Sequence, residues 1–267
     1  MKDVGTAGLK EVQEVYTGAE GELWELIMGE QIHIGGLPSS MDLAKKSGVG
    51  PGMRGVDFCC CTGAGMRFLL RFCGVDIMTG VDATERMITT GKERSAEEGF
   101  SDRTEFILAD VCDSGLSDAS ADFIWGEDAW CYVVDKEKMI AEAARIVKPG
   151  GTIAFTDWVE GPAGMSDEEA KRFLAFMKFP NLQDLKGYPA LLEQNGCEMV
   201  HTEDTGRFPS AVELYMDMVQ NQLTYDVLKI IGFDQDMLAV IGGEMVFMQD
   251  LAHAGKVCQG LFVAKKK

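Results

Sequence analysis

The stretch Gly55-Val56-Asp57-Phe58-Cys59-Cys60-Cys61-Thr62-Gly63-Ala64-Gly65 constrains this chain more than any other. An apolar strand runs through an acidic residue into a turn of small residues, and a helix begins near Met66. Strand, tight turn and helix N-terminus in succession bring backbone amides close to a ligand in an α/β protein. The next two strand-like runs, 75–81 and 104–109, close on Asp82 and Asp110. With Asp57, these put carboxylates at three successive strand ends, which suggests a nucleoside-bearing ligand along one edge of a parallel sheet.

The alternation continues in both directions. Strand 54–58 is followed by helix 64–73, and strand 75–81 by helix 84–98. Strand 104–109 leads through an acidic, Ser-rich turn at 113–120 to strand 121–125. A helix over 135–147 stops at Lys148-Pro149-Gly150-Gly151, and strand 152–157 follows. This spacing predicts an α/β fold with a Rossmann-like, doubly wound, mostly parallel sheet. Upstream, 10–28 reads as helix with breaks at Gly18 or Gly21, and Pro38 starts another. Downstream come helices 166–177 and 187–195, a strand over 198–202, two long helical runs, 209–231 and 234–254, and a last strand over 256–264. The expectation is one domain over 1–267. It has an N-terminal helical cap (1–50), a ligand-binding core (51–160) and a helical lid (209–254) inserted before the last strand.

Composition narrows the partners. A net charge of −18 argues against nucleic acid or an anionic membrane as the main partner. No apolar run approaches membrane-spanning length, and no apolar core follows Met1-Lys2-Asp3-Val4-Gly5, so a cytoplasmic location is expected. Eight cysteines without a secretory signal read as reduced thiols. Cys59-Cys60-Cys61 lacks the paired spacing of a zinc site, and no metal is expected.

The Gly-rich turn, Asp57, Asp82, Asp110 and the Lys148-Pro149-Gly150-Gly151 turn together resemble a class I S-adenosylmethionine (SAM) methyltransferase. That resemblance implies SAM as cofactor. The turn, with Asp57, Cys59, Cys61, Gly63 and Gly65, would receive its methionine end. Asp82 would accept from the ribose hydroxyls, and Asp110 would hold the adenine amino group beside the Val111 amide. Ala83, Met87, Glu127 and His33 would complete the contacts. Helix capping is the alternative role for Asp82 and Asp110. Cys59 and Cys61 depart from the family's usual glycines, and a side chain there penalises positive φ.

A narrower resemblance covers nearly the whole chain. Asp122-Phe123-Ile124-Trp125-Gly126-Glu127-Asp128-Ala129 with Asp135-Lys136 is similar to the fourth-strand motif of sarcosine/dimethylglycine N-methyltransferases. Gln31-Ile32-His33-Ile34-Gly35 resembles their N-terminal segment, and phosphoethanolamine methyltransferases share a looser version. Arg67-Phe68-Leu69, Arg207 and Gly255-Lys256 also fit. The resemblance implies methylation of a small amine or amino acid of the glycine, sarcosine or dimethylglycine type, possible homodimers, and a small-molecule acceptor as the partner. The family carries a His in the segment where this chain has Tyr132, and a phenol, with a pKa of about 10, is no match for imidazole as a base.

The candidate catalytic residues are Asp128, Tyr16 and Tyr132. Asp128 lies just beyond a strand end, where it would orient an amine, or cap a helix. Tyr16 would close the pocket, or pack as a helical aromatic. Trp130 and Trp158 would wall a methylammonium site by cation–π attraction, or belong to the core. Arg207 would bind an acceptor carboxylate, or make a surface ion pair. The alternatives are an O-, S- or C-methyltransferase of another small metabolite and a non-catalytic SAM-binding protein.

Overall fold

The computed structural model describes residues 1–267. Its centre is a seven-stranded sheet of order β3-β2-β1-β4-β5-β7-β6. The strands are β1 (Arg54–Phe58), β2 (Ile77–Asp82), β3 (Thr104–Leu108), β4 (Ala121–Glu127), β5 (Val147–Glu160), β6 (Cys197–Asp204) and β7 (Val257–Lys266). Strands β1 to β5 run parallel, while β7 pairs antiparallel with β5 and β6. Chain order reverses between β1 and β4, and open α/β sheets bind ligands at such a switch point, beyond the carboxyl ends of the strands.

Side chains alternate across the sheet as the pleat requires. Phe123, Trp125, Ala154, Leu261 and Val263 face one layer, packed with Leu43 of α3 (Gly36–Ser47), Phe68 of α4 (Ala64–Phe68) and Ile88 of α5 (Glu85–Glu97). Ile124, Ile153, Phe155 and Phe262 face the other, with Met139 and Ile140 of α6 (Lys136–Ile146) and Leu192 of α8 (Gly187–Gln194). A third cluster joins Val15 of α1 (Leu9–Thr17) and Trp24 of α2 (Ala19–Met28) to Trp158 on β5 and Phe173 of α7 (Asp167–Met177). It also takes in Tyr215 of α9 (Phe208–Met218) and Met248 of α11 (Gln235–His253).

Several elements differ from the sequence expectation. Gly18 alone divides the first helix, with its extended backbone ending α1 and opening α2. The 64–73 helix widens into a π-helical segment at Leu69–Cys73 and stops at Gly74, where φ is +69°. Lys148-Pro149-Gly150-Gly151 does not separate a helix from a strand. Val147 already pairs with Ala121, and the four residues bulge before pairing resumes at Phe123 and Thr152. The 209–231 run is α9, a π-helical segment (Val219–Leu223) and α10 (Thr224–Ile230). No helix is long and apolar enough to cross a membrane.

Candidate active site

A cavity of about 230 Å³ opens beyond the carboxyl ends of β1, β2 and β4. The 59–62 turn forms its floor. Cys59 and Cys61 adopt φ of +58° and +49°, left-handed values that strain a residue with a Cβ. Burial pushes the Cys61 thiol up to about 12 and the Cys59 thiol well above its ordinary value, so both stay protonated. Cys61 Sγ lies 3.3 Å from Met87 Sδ, and both residues line the cavity with Ala83. Gly63 sits behind the turn, outside the lining. A Cβ there would come within 2.6 Å of the Phe106 ring, and its φ is +73°.

Asp82 fixes the turn. Its Oδ2 accepts from the Cys61 amide and its Oδ1 from the Thr84 amide, each at 2.9 Å. Burial raises its pKa, and the two amides oppose the rise. Each oxygen keeps a further lone pair for a ligand hydroxyl. Asp110 is exposed at the rim beside buried Val111, and its Oδ1 accepts from the Cys112 amide at 2.8 Å.

Asp57 is the unusual group. It is buried, lines the cavity and takes no hydrogen bond from any protein donor. Burial pushes its pKa well up, and the charges of Glu127 and Asp82 add to the shift. A buried carboxylate without a donor calls for a cation or a proton. Gly65 gives it room: a Cβ there would lie 3.1 Å from Glu127 Oε2 and 3.3 Å from Asp57 Oδ2. The pair suits an ammonium group, and Asp82 and Asp110 line the same cavity.

The N-terminal segment closes over this end. Glu127 Oε1 accepts from Ser40 Oγ at 2.7 Å, and His33 Nε2 lies 3.1 Å from the same hydroxyl. The Ile34 amide donates to Asp128 Oδ2 at 2.7 Å. Gln259 Nε2 lies 3.0 and 2.9 Å from the two oxygens of Asp128 and 3.0 Å from the Ile34 carbonyl. The Tyr215 hydroxyl accepts from the Gly35 amide at 3.4 Å and donates to the His33 carbonyl at 3.5 Å. No residue of 209–254 lines the cavity; Tyr215 acts from behind the segment.

Asp128, Tyr16, Ile32 and Tyr132 also line a second, smaller space of about 20 Å³, with Trp24, Met28, Trp158, Met177 and Phe179. Four of its rings form an edge-to-face arc. Tyr16 meets Tyr132 at 5.5 Å between centroids, Tyr132 meets Phe179 at 4.8 Å, and Phe179 meets Trp158 at 5.7 Å. Burial pushes both phenols far above their ordinary pKa, so neither is a base near neutral pH. Burial raises the Asp128 pKa as well, opposed by His33 and the Ile34 amide.

Two expected wall residues lie elsewhere. Trp130 sits under the sheet, stacked on Phe155 at 3.9 Å; its ring lies across Gly126, where a Cβ would meet Nε1 at 2.2 Å. The turn after Asp128, whose φ is +52°, carries the ring away from the cavity. Arg207 also lies outside it, paired with Asp42 Oδ2 at 2.6 Å. Trp24, Met177, Phe179 and Gln259 are the residues that sequence reasoning missed. They belong to apolar helix faces, a loop and the last strand, and no motif singles them out.

Known proteins resemble this chain in sequence and in fold. Residues 56–155 match a family described as a methyltransferase domain. The chain is 27% identical over 213 residues to methyltransferase GfsG of Streptomyces halstedii, spanning 73% of this chain and 75% of that protein. It is 26% identical over 247 residues to phosphoethanolamine N-methyltransferase 1 of Zea mays, spanning 91% of this chain and 47% of that protein. The chain thus spans about half the length of the maize enzyme. Its fold is similar to that of a Galdieria sulphuraria protein assigned as a sarcosine dimethylglycine methyltransferase. The TM-score is 0.84 and the identity 21%, over 93% of this chain and 97% of that one.

Proposed function

We propose that this chain, a class I SAM-dependent methyltransferase, methylates the nitrogen of a small amine. The observation that carries the cofactor half is Asp57, a buried carboxylate with no protein donor, next to Glu127 and beneath the space that Gly65 leaves open. These two would hold the amino-acid end of SAM, Asp82 the ribose hydroxyls, and Asp110 with Val111 the adenine. Bound SAM supplies a methyl group already activated on a sulfonium: the acceptor lone pair forms the new bond as the carbon–sulfur bond breaks, and sulfur keeps that electron pair.

The chain's own part is placement. Tyr16, Ile32, Tyr132 and Asp128 border both the cofactor cavity and the aromatic chamber, so an acceptor in the chamber would meet the cavity past these four residues. Alignment and exclusion of water supply much of the barrier reduction in such a reaction. The protonated phenols offer hydrogen bonds and take no proton. That supports a nucleophile needing no strong base, and a neutral amine is one. The Asp128 carboxylate would stabilise the positive charge that grows on nitrogen.

The test is calorimetry with SAM and S-adenosylhomocysteine, followed by mass detection of product from a panel of amines, phenols, thiols and carbon acids. Cofactor binding with turnover of an amine is the expected result. Turnover of only a phenol, thiol or carbon acid overturns the amine reading and keeps the methyltransferase.

A further inference from the structure

Resting on the amine reading, we infer that the acceptor site selects against anions: it takes an amine that carries neither carboxylate nor phosphate, seated against aromatic rings and Asp128. Nine residues line the chamber, and Asp128 is the one acidic or basic side chain among them. The other lining positions, Trp24, Met28, Ile32, Met177 and Phe179 among them, are all without a charge.

The cations of this region stay outside the chamber lining. Arg207 pairs through Nη2 with Asp42 at 2.6 Å and keeps Nη1 buried without a partner, and Lys178, between Met177 and Phe179, does not line the space. Lys136 is buried with its Nζ 2.5 Å from Asn181 Oδ1 and 3.0 Å from the Val133 carbonyl, and it does not line the chamber. Lys138 borders only the larger cavity and is exposed, at its rim. A carboxylate or phosphate recognised by a protein is normally met by an Arg fork or a Lys. Here it would face Asp128, with Asp57, Glu127 and Asp82 in the adjoining cavity. A buried anion without a partner is strongly disfavoured.

The same surroundings favour a cationic head. The Tyr16, Tyr132, Phe179 and Trp158 rings turn in sequence around the space. Aromatic faces attract alkylammonium groups, most strongly where water is excluded. The neutral donors on the lining residues are the two tyrosine hydroxyls and the indole N–H groups of Trp158 and Trp24, the latter buried without a protein acceptor. At about 20 Å³ the space as it stands holds little more than one water, so a methylated head must spread the lining and small heads are favoured over large ones.

The experiment compares two quaternary ammonium probes in the presence of S-adenosylhomocysteine, read by tryptophan fluorescence and calorimetry. Butyltrimethylammonium and glycine betaine share the cationic head and differ in the carboxylate. At least 10-fold tighter binding of butyltrimethylammonium is expected. Trp158→Leu and Phe179→Leu should each weaken it about 10-fold, with S-adenosylhomocysteine affinity kept as the check on folding. Equal or tighter binding of betaine overturns the inference, as does unchanged probe binding in both variants. Turnover completes the comparison: amines with uncharged chains are expected to exceed sarcosine, dimethylglycine and phosphoethanolamine at least 100-fold in kcat/KM. Preference for any of those three overturns the selection against anions and leaves the amine reading standing. Turnover of phenols, thiols or carbon acids alone overturns the amine reading and this inference with it.

Discussion

The backbone amide of Ile34 donates to the Asp128 carboxylate at 2.7 Å, joining residues 94 positions apart in the chain. One side chain thus holds the N-terminal segment over the cofactor cavity and faces the acceptor chamber. Its two roles separate by experiment.

Asp128→Ala leaves the Ile34 amide and Gln259 Nε2 without their shared acceptor. Each buried donor so stranded costs about 1–3 kcal/mol, and a melting temperature lower by roughly 4–10 °C is expected. Turnover should fall further than S-adenosylhomocysteine affinity, because the carboxylate borders the acceptor. Thermal melts, calorimetry and kcat on the one variant check all three. Affinity falling in step with kcat would assign Asp128 to the cofactor side alone.

Asp82→Ala should weaken S-adenosylhomocysteine binding by about 1–3 kcal/mol, the scale of lost hydrogen bonds to a charged group. It also frees the Cys61 and Thr84 amides, which now fix the turn at 2.9 Å each. Calorimetry measures the loss. Unchanged affinity removes the ribose assignment.

The groups around the acceptor are Tyr16, Tyr132 and Asp128, and burial keeps both phenols protonated well past neutrality. With neither phenol able to take a proton and the Asp128 carboxylate engaged by the Ile34 amide and Gln259, the reactive amine is the fraction already neutral in solution. For an alkylamine with a pKa near that of a lysine, about 10.4, kcat/KM should rise roughly tenfold per pH unit between pH 6.5 and 9. A plateau beginning near pH 7 would reveal a base among these residues.

Asp157 is buried, accepts from the Tyr188 hydroxyl at 2.5 Å, and is pushed up to about 7 by desolvation. The unfolded value is about 3.9, so the folded state holds the proton more tightly. Its contribution to stability is full below about pH 4 and is lost as pH rises to 7. Asp57, Asp82 and Asp128 are shifted in the same direction. Urea unfolding should therefore show lower stability at pH 8 than at pH 5, with a smaller difference in Asp157→Asn. A rise in stability across that interval contradicts the assignment.

Cys59, Cys60 and Cys61 all have thiols raised by burial, Cys61 to about 12. The thiolate is the reactive form, so these three should react with a disulfide reagent at pH 7.5 far more slowly than a free thiol. S-adenosylhomocysteine should slow all three further, since all three line the cavity. Mass mapping of the modified peptides measures each site. Rapid labelling of all three in the presence of ligand would place the turn outside the cofactor site.

Much of the fold is legible because its signals are local. Apolar strands ending on Asp82 and Asp110, and the glycines of the turn after β1, carry their meaning within a dozen residues. The chamber is not written that way. Trp158 stands at the end of an apolar strand and could be read as a wall. Trp130, two residues past Asp128, looks equivalent, yet the positive φ of Asp128 and the short 3₁₀ turn Trp130–Tyr132 send its ring beneath Gly126. Met177 and Phe179 straddle the end of α7, where Lys178 is left-handed, and only tertiary packing brings them to Tyr132. Arg207 has the charge for a carboxylate, but Asp42 on α3 reaches it, a pairing that no spacing reveals.

Gln259 lies on β7 and bonds to both Ile34 and Asp128. The latch therefore draws on three segments far apart in the sequence. During synthesis the segment over the cavity has no complete anchor until residue 259 has cleared the ribosome and β7 has slid between β5 and β6. Ligand capture thus waits on β7, and a nascent chain stalled before that strand would display the cavity without its clasp.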